Sequence, residues 1–97
     1  MVKHIVFWKI KPELDIEGVY EEMKIRVHAM NGEIPGLNTV ELGRDFSKSE
    51  AAYDVALYAE LKDIKALGIY QEHPAHQHVQ EFISAVTSEK CVVDYEV

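Results

Sequence analysis

The sequence has only one cysteine, few basic residues and no long apolar run, and each of these scarcities excludes a class of partner or compartment. Cys91 is the single cysteine, so the chain cannot form an internal disulfide and does not need an oxidising compartment to fold. Its 10 lysines and arginines are unclustered and are outnumbered by 17 acidic residues, and the net charge of -7 argues against nucleic acid and anionic membranes as partners. No apolar run is long enough to span a bilayer, and the first residues show neither a long apolar stretch nor a small-residue cleavage site, so no signal peptide is expected. We expect one cytoplasmic domain, residues 1–97.

The motifs of several large enzyme classes are also absent. The chain has no glycine-rich phosphate loop, no G-x-S-x-G and no H-E-x-x-H, so no cofactor is expected. His73, His76 and His78 suggest a metal site, but Pro74 breaks the helix between the first two and no cysteine or carboxylate completes the ligand set. We therefore expect no bound metal.

Hydrophobic periodicity predicts the element order β-α-β-β-α-β. Strands are predicted over residues 2–11, 37–46, 53–61 and 91–97. Asp15 is predicted to cap the first helix, and Asp63 lies close to the start of a second helical region that is interrupted at Pro74. The apolar side of the second region is predicted to carry Ile64, Leu67, Gly68, Val79, Phe82, Ile83 and Val86. This order predicts a ferredoxin-like α+β fold, an antiparallel four-stranded sheet with its helices on one face.

The predicted sheet is apolar on both faces. In the first strand Val2, Val6 and Trp8 share one face, whereas Ile5 and Phe7 share the other, and the third and last strands behave similarly. Helices cover only one face of such a sheet, and an uncovered apolar face needs a partner. A second copy is the simplest partner, so we predict a homodimer through the sheet face, with two sheets forming a barrel-like core.

The segment from Tyr70 to His76 concentrates the chemistry of the chain. His76 lies at the edge of the apolar helix stripe and is expected to face the sheet, either as a hydrogen-bonded core residue or as a base in a cavity. Tyr70 is either an aromatic packed at a helix end or a phenol that polarises a carbonyl or orients the imidazole. His4 shares a strand face with Val6 and Trp8 and needs a polar partner if it is buried.

Four other residues have simpler expected roles. Cys91 lies in an apolar strand pattern and is expected to be a buried, inert thiol. Gly43 is expected to mark a bulge or a close contact in its strand. Asp94 could pair with a histidine across the sheet or cover an edge, and the second role is preferred. His28 lies off the first helix's apolar stripe and is expected to be solvated.

Together these residues resemble the stress-responsive α/β-barrel (Dabb) domain family. The similarity covers essentially the whole chain, and His73-Pro74-Ala75-His76 together with the opening Lys3-His4 strand is its more specific part. It also includes Ile34-Pro35-Gly36, Tyr53 and Val93-Asp94-Tyr95. The resemblance implies a dimeric ferredoxin-like barrel. Most members of this family have no assigned activity, and some plant members are induced by stress.

The resemblance also implies roles for three residues. One plant member is a polyketide cyclase that closes a linear polyketide by aldol condensation. The catalytic base of that enzyme corresponds in position to His76, and an assisting tyrosine corresponds to Tyr70. A histidine that lines its cavity corresponds to His4. The chain differs from that cyclase at Met23, Val27 and Val55, where the cyclase has aromatic residues or a further histidine.

Three functional hypotheses follow. The first is a dimer that binds a small apolar or carbonyl-containing molecule between sheet and helices. The second is a cofactor-free cyclase or lyase with His76 as general base, assisted by Tyr70 and His4. The third is a structural or stress-related interaction module.

Overall fold

The strands and helices follow one another in the predicted order, with one helical region divided in two. A computed structural model describes residues 1–97. The sheet order is β2-β3-β1-β4 and every neighbouring pair is antiparallel, which confirms the ferredoxin-like α+β fold. The elements are β1 (Val2–Ile10), α1 (Ile16–His28), β2 (Leu37–Arg44), β3 (Val55–Leu61), α2 (Ile64–Glu72), α3 (Pro74–Val86) and β4 (Thr87–Glu96).

The element boundaries follow local hydrogen bonds. The Asp63 carboxylate accepts a bond from the backbone N–H of Ala66 at 2.8 Å and caps α2, and Pro74 occupies the first turn of α3 as predicted. Asp15 precedes α1 in extended conformation, but its side chain makes no capping bond. Strand β4 begins at Thr87 rather than Cys91, because the chain turns directly from α3 into extended backbone while the Thr87 hydroxyl donates to the Ile83 carbonyl at 2.8 Å.

The main core lies between the sheet and the helices. The predicted alternation of β1 is confirmed, since Val2, Val6 and Trp8 are all buried on the helix side. Buried side chains of the other elements meet them there: Met23, Val27, Val40, Leu42, Leu57, Ala59, Leu61, Ala66, Tyr70, Val79 and Ile83. Strands β1, β2 and β3 therefore contribute alternate residues to this core, as a half-covered sheet requires, whereas the edge strand β4 has no fully buried residue.

The buried side of α2 differs from the prediction. Ala66 and Tyr70 are buried, four residues apart on one helix face, whereas Ile64 is 64% exposed. A close approach to the preceding turn explains this orientation. A Cβ atom at Gly36 would lie only 2.7 Å from Cβ of Ala66, so glycine at this positive-φ turn lets α2 dock with its Ala66 side inward.

The outer face of the sheet is apolar and uncovered within one chain. Phe7 is 41% exposed and Val93 is 59% exposed on this face. Cys91 lies opposite Phe7 and is exposed, so the prediction of a buried thiol is wrong for the single chain: the register of β4 directs Cys91 away from the helices. Gly43 faces open space and makes no close contact, and the irregular register of β2 lies between Leu37 and Thr39. No helix is both long and apolar enough to cross a membrane.

Candidate functional site

A cavity of about 300 Å³ lies between the helix side of the sheet and helices α2 and α3. Most of its wall is apolar, from residues such as Val6, Trp8, Met30, Leu57, Val79, Ile83 and Val92. Six residues with polar side-chain groups break this lining: His4, Tyr70, Gln71, His76, Gln80 and Lys90. The three residues selected from the sequence, His4, Tyr70 and His76, are thus brought to one cavity.

Tyr70 contributes a phenol that is buried and unbonded. It lies in the last turn of α2, its side chain is fully buried, and its hydroxyl has no hydrogen-bond partner. Burial raises the pKa of the phenol far above its usual value, so the hydroxyl stays protonated at neutral pH. Tyr70 is therefore a residue of the cavity lining whose buried hydroxyl is a hydrogen-bond donor without a partner.

His76 contributes an imidazole with one committed nitrogen. The break at Pro74 places His76 in the first turn of α3 beside the end of α2, where Nδ1 lies 3.2 Å from the backbone carbonyl oxygen of Gln71. A carbonyl can only accept, so Nδ1 carries the proton and donates it, which leaves Nε2 as an acceptor without a hydrogen bond. The imidazole ring centroid lies 4.4 Å from that of Tyr70.

The surroundings of His76 keep its imidazole neutral. Burial is the main effect that lowers its pKa, and the nearby His4 and Lys90 lower it further. The bond to the Gln71 carbonyl opposes this shift without reversing it. At neutral pH the cavity therefore pairs a protonated phenol with an unprotonated Nε2.

His4 is held by an acidic partner on the neighbouring strand. Its Nδ1 is bonded to a carboxylate oxygen of Asp94, because the antiparallel register of β1 and β4 sets these two residues opposite each other. The preference for Asp94 as an edge-covering residue is therefore wrong. The His4 ring also meets the Tyr70 ring edge-on, with centroids 5.7 Å apart, so Tyr70 is flanked by both imidazoles.

The remaining histidines lie outside the cavity wall. Nδ1 of His73 accepts a bond from the Ala75 backbone N–H at 3.0 Å and caps α3, while His78 is exposed. His28 is exposed as expected, but its Nε2 also accepts a bond from the Leu42 backbone N–H at 3.1 Å. No three His, Cys, Asp or Glu side chains are grouped as metal ligands would be.

Sequence reasoning missed the other polar residues of the cavity. Gln71 and Gln80 lie at helix positions with no distinctive pattern, and Lys90 fell just outside the predicted last strand. Strand β4 begins at Thr87 and therefore includes Lys90. Side chains alternate along a strand, so a prediction with this start would have placed Lys90 on the same face as Asp94.

Comparison with known proteins identifies the family. The family model of the stress responsive A/B barrel domain, Dabb, matches residues 2–97. The chain belongs to this family. An uncharacterised protein from Streptomyces coelicolor is 32% identical over an alignment of 83 residues, with 79% of this chain and 80% of the relative covered.

Two solved structures illustrate the range of proteins that resemble this Dabb chain. One is a dimeric protein of unknown function with a ferredoxin-like fold, from Bacteroides fragilis. It has a TM-score of 0.88 and 26% identity, and the superposition covers 99% of this chain and 95% of the Bacteroides chain. A hydroxynitrile lyase from Passiflora edulis has a TM-score of 0.86 and 15% identity, with 99% of this chain and 92% of the lyase covered. At that identity the lyase shows the shared fold alone.

Proposed function

We propose that this Dabb protein binds a small, largely apolar molecule with a carbonyl group in the cavity between the sheet and helices α2 and α3. The observation that carries the proposal is the buried, unpartnered hydroxyl of Tyr70 in the wall of that cavity. A buried donor without a partner costs about 1–3 kcal/mol, and a ligand carbonyl would remove this cost by accepting its bond. The volume of about 300 Å³ lies at the lower end of the range for small-molecule pockets.

The protein is proposed to act as a homodimer through the outer face of its sheet. Phe7 and Val93 are large apolar side chains left 41% and 59% exposed on that face. Exposed apolar area of this kind is removed from water most simply by a second copy of the same surface. The dimeric state of the similar Bacteroides fragilis protein supports this assembly. Because the cavity lies on the opposite side of the sheet, it stays open to a ligand in such a dimer.

A cofactor-free enzyme is the second candidate, favoured by the neutral His76 beside Tyr70. Nε2 of His76 would take a proton from the carbon next to the ligand carbonyl, the electron pair of that C–H bond would form the enolate, and the Tyr70 hydroxyl would donate to the enolate oxygen. In a molecule with a second carbonyl, the enolate carbon could attack it to form a C–C bond. The His76 imidazolium would then return its proton to the new alkoxide.

Titration with methyl 3-oxooctanoate tests the binding proposal. We expect saturable binding by calorimetry and much weaker binding of methyl 3-hydroxyoctanoate, in which a hydroxyl replaces the keto oxygen. Equal binding of the two esters, or binding of neither, would refute the carbonyl site.

The same keto ester tests the enzyme candidate through exchange of its C2 protons in D2O. We expect exchange faster than in buffer alone, and His76→Gln to remove most of the roughly 10²–10⁴-fold contribution typical of a general base. His78→Gln is the matched control, because His78 is exposed and outside the cavity. Equal exchange rates in the wild type, His76→Gln and His78→Gln would refute His76 as a general base and leave only the binding proposal.

A further inference from the structure

Lys90 is the one formally charged side chain in the wall of the cavity, apart from the titratable histidines. Strand β4 lies beside β1, and Lys90 pairs in register with Trp8, so both share the helix side of the sheet. Its neighbour Glu89 lies on the opposite face, where its Oε2 is 3.6 Å from Nζ of Lys9. None of the ion pairs in the structure includes Lys90.

The unpaired ammonium group of Lys90 is opposite in sign to the net charge of the protein. The protein carries a net charge of -7, yet the charged group that meets the cavity is a cation. Lys90 is exposed, so it lies where the cavity opens to solvent rather than in its apolar interior. Its charge reaches the chemical centre of the site, because it contributes to the lowered pKa of His76.

We propose that the ligand of this cavity carries a carboxylate beside its apolar, carbonyl-containing body, and that Lys90 binds this carboxylate at the cavity mouth. The inference rests on the proposed function and specifies the class of ligand. A single ammonium group matches a single negative charge. A phosphate would call for an arginine fork or a loop of backbone N–H groups, and the residues that line the cavity include no arginine.

The arrangement would give the ligand a defined direction. The carboxylate would stay hydrated at the mouth beside Lys90, while the apolar part would contact Val79, Ile83 and the other apolar side chains of the wall. A keto group between these two parts would then lie toward Tyr70 and His76. Lys90 would also attract acidic ligands to a protein whose overall charge repels them.

The test compares 3-oxooctanoate with its methyl ester by calorimetry at low ionic strength. We expect the wild-type protein to bind the acid about fivefold more tightly, near the upper limit for an ion pair at an exposed site. Lys90→Met should abolish this preference, so that acid and ester bind the variant with equal affinity. Lys65→Met, which removes an equal charge from an exposed position on α2 outside the cavity wall, should retain it. Raising the salt concentration should weaken binding of the acid alone.

The possible failures are distinguishable. Equal affinity of the wild-type protein for acid and ester, or a preference that survives Lys90→Met, would overturn the role of Lys90 while the carbonyl site stands. Binding of neither compound would overturn the proposed site and this inference together.

Discussion

Replacing Tyr70 by phenylalanine should make the unliganded protein more stable and its site less effective. The side chain is fully buried, so phenylalanine retains the packing of the ring and removes only the hydroxyl. That hydroxyl has no partner in the folded protein, whereas water solvates it in the unfolded chain. A buried unsatisfied polar group costs about 1–3 kcal/mol, and we expect Tyr70→Phe to recover about 1 kcal/mol of it. For a domain of this size this corresponds to a rise in Tm of roughly 4–8 °C.

The assay combines urea unfolding and calorimetry at one fixed protomer concentration, because the stability of a dimer depends on concentration. Tyr20→Phe is the control: Tyr20 is a half-buried residue of α1 outside the cavity wall, and its replacement should change the free energy of unfolding by less than about 0.5 kcal/mol. Tyr70→Phe should also weaken binding of methyl 3-oxooctanoate about tenfold, which is 1.4 kcal/mol. A Tyr70→Phe protein that is less stable than wild type by 1 kcal/mol or more would show that the hydroxyl is bonded in the native state and would refute this reasoning.

Three further predictions concern the dimer, the helix caps and pH. Val93→Glu should convert the proposed dimer to monomers in sedimentation, whereas Ile25→Glu, at a similarly exposed position on α1, should not. An intact Val93→Glu dimer would exclude the sheet face as the interface. Asp63→Ala should cost about 1 kcal/mol in urea unfolding and Asp15→Ala only a few tenths, since only Asp63 makes a capping bond; equal losses would contradict the assigned caps. The pKa of His76 is lowered in the folded state, so the unfolded state binds more protons at acid pH. Relative to His76→Gln, the wild type should therefore lose stability as pH falls below about 6.5, and parallel pH profiles would argue against this shift.

The fold was accessible from the sequence because its main signals are local. Alternation in β1 separated Val2, Val6 and Trp8 from Ile5 and Phe7, and the structure has the same two faces. The helix break at Pro74 was also local, since proline restricts the residue before it and suits the first turn of a helix. These rules act over a few residues and need no knowledge of the tertiary structure.

The errors arose where a residue's environment depends on distant parts of the chain. The bond between His4 and Asp94 requires the register of β1 against β4, which spans most of the sequence. The orientation of α2 depends on how closely Gly36 approaches Ala66, and Cys91 is exposed because of the face on which β4 places it. Neither strand register nor helix rotation is determined by hydrophobic period alone.

The candidate site was predictable only where its residues are positioned by local sequence patterns. His76 and Tyr70 could be placed near a helix break, and His4 on the helix side of β1, from local patterns. The cavity itself is a gap between packed elements, so its volume and the presence of Lys90 in its wall followed only from the assembled structure.

A crystal structure of the protein with methyl 3-oxooctanoate would test the central claim most directly. The account predicts the ester in the cavity between the sheet and helices α2 and α3, with its keto oxygen within hydrogen-bond distance of the Tyr70 hydroxyl and its C2 carbon facing Nε2 of His76. An ester bound elsewhere on the protein, or bound in the cavity with its keto oxygen away from Tyr70, would contradict it.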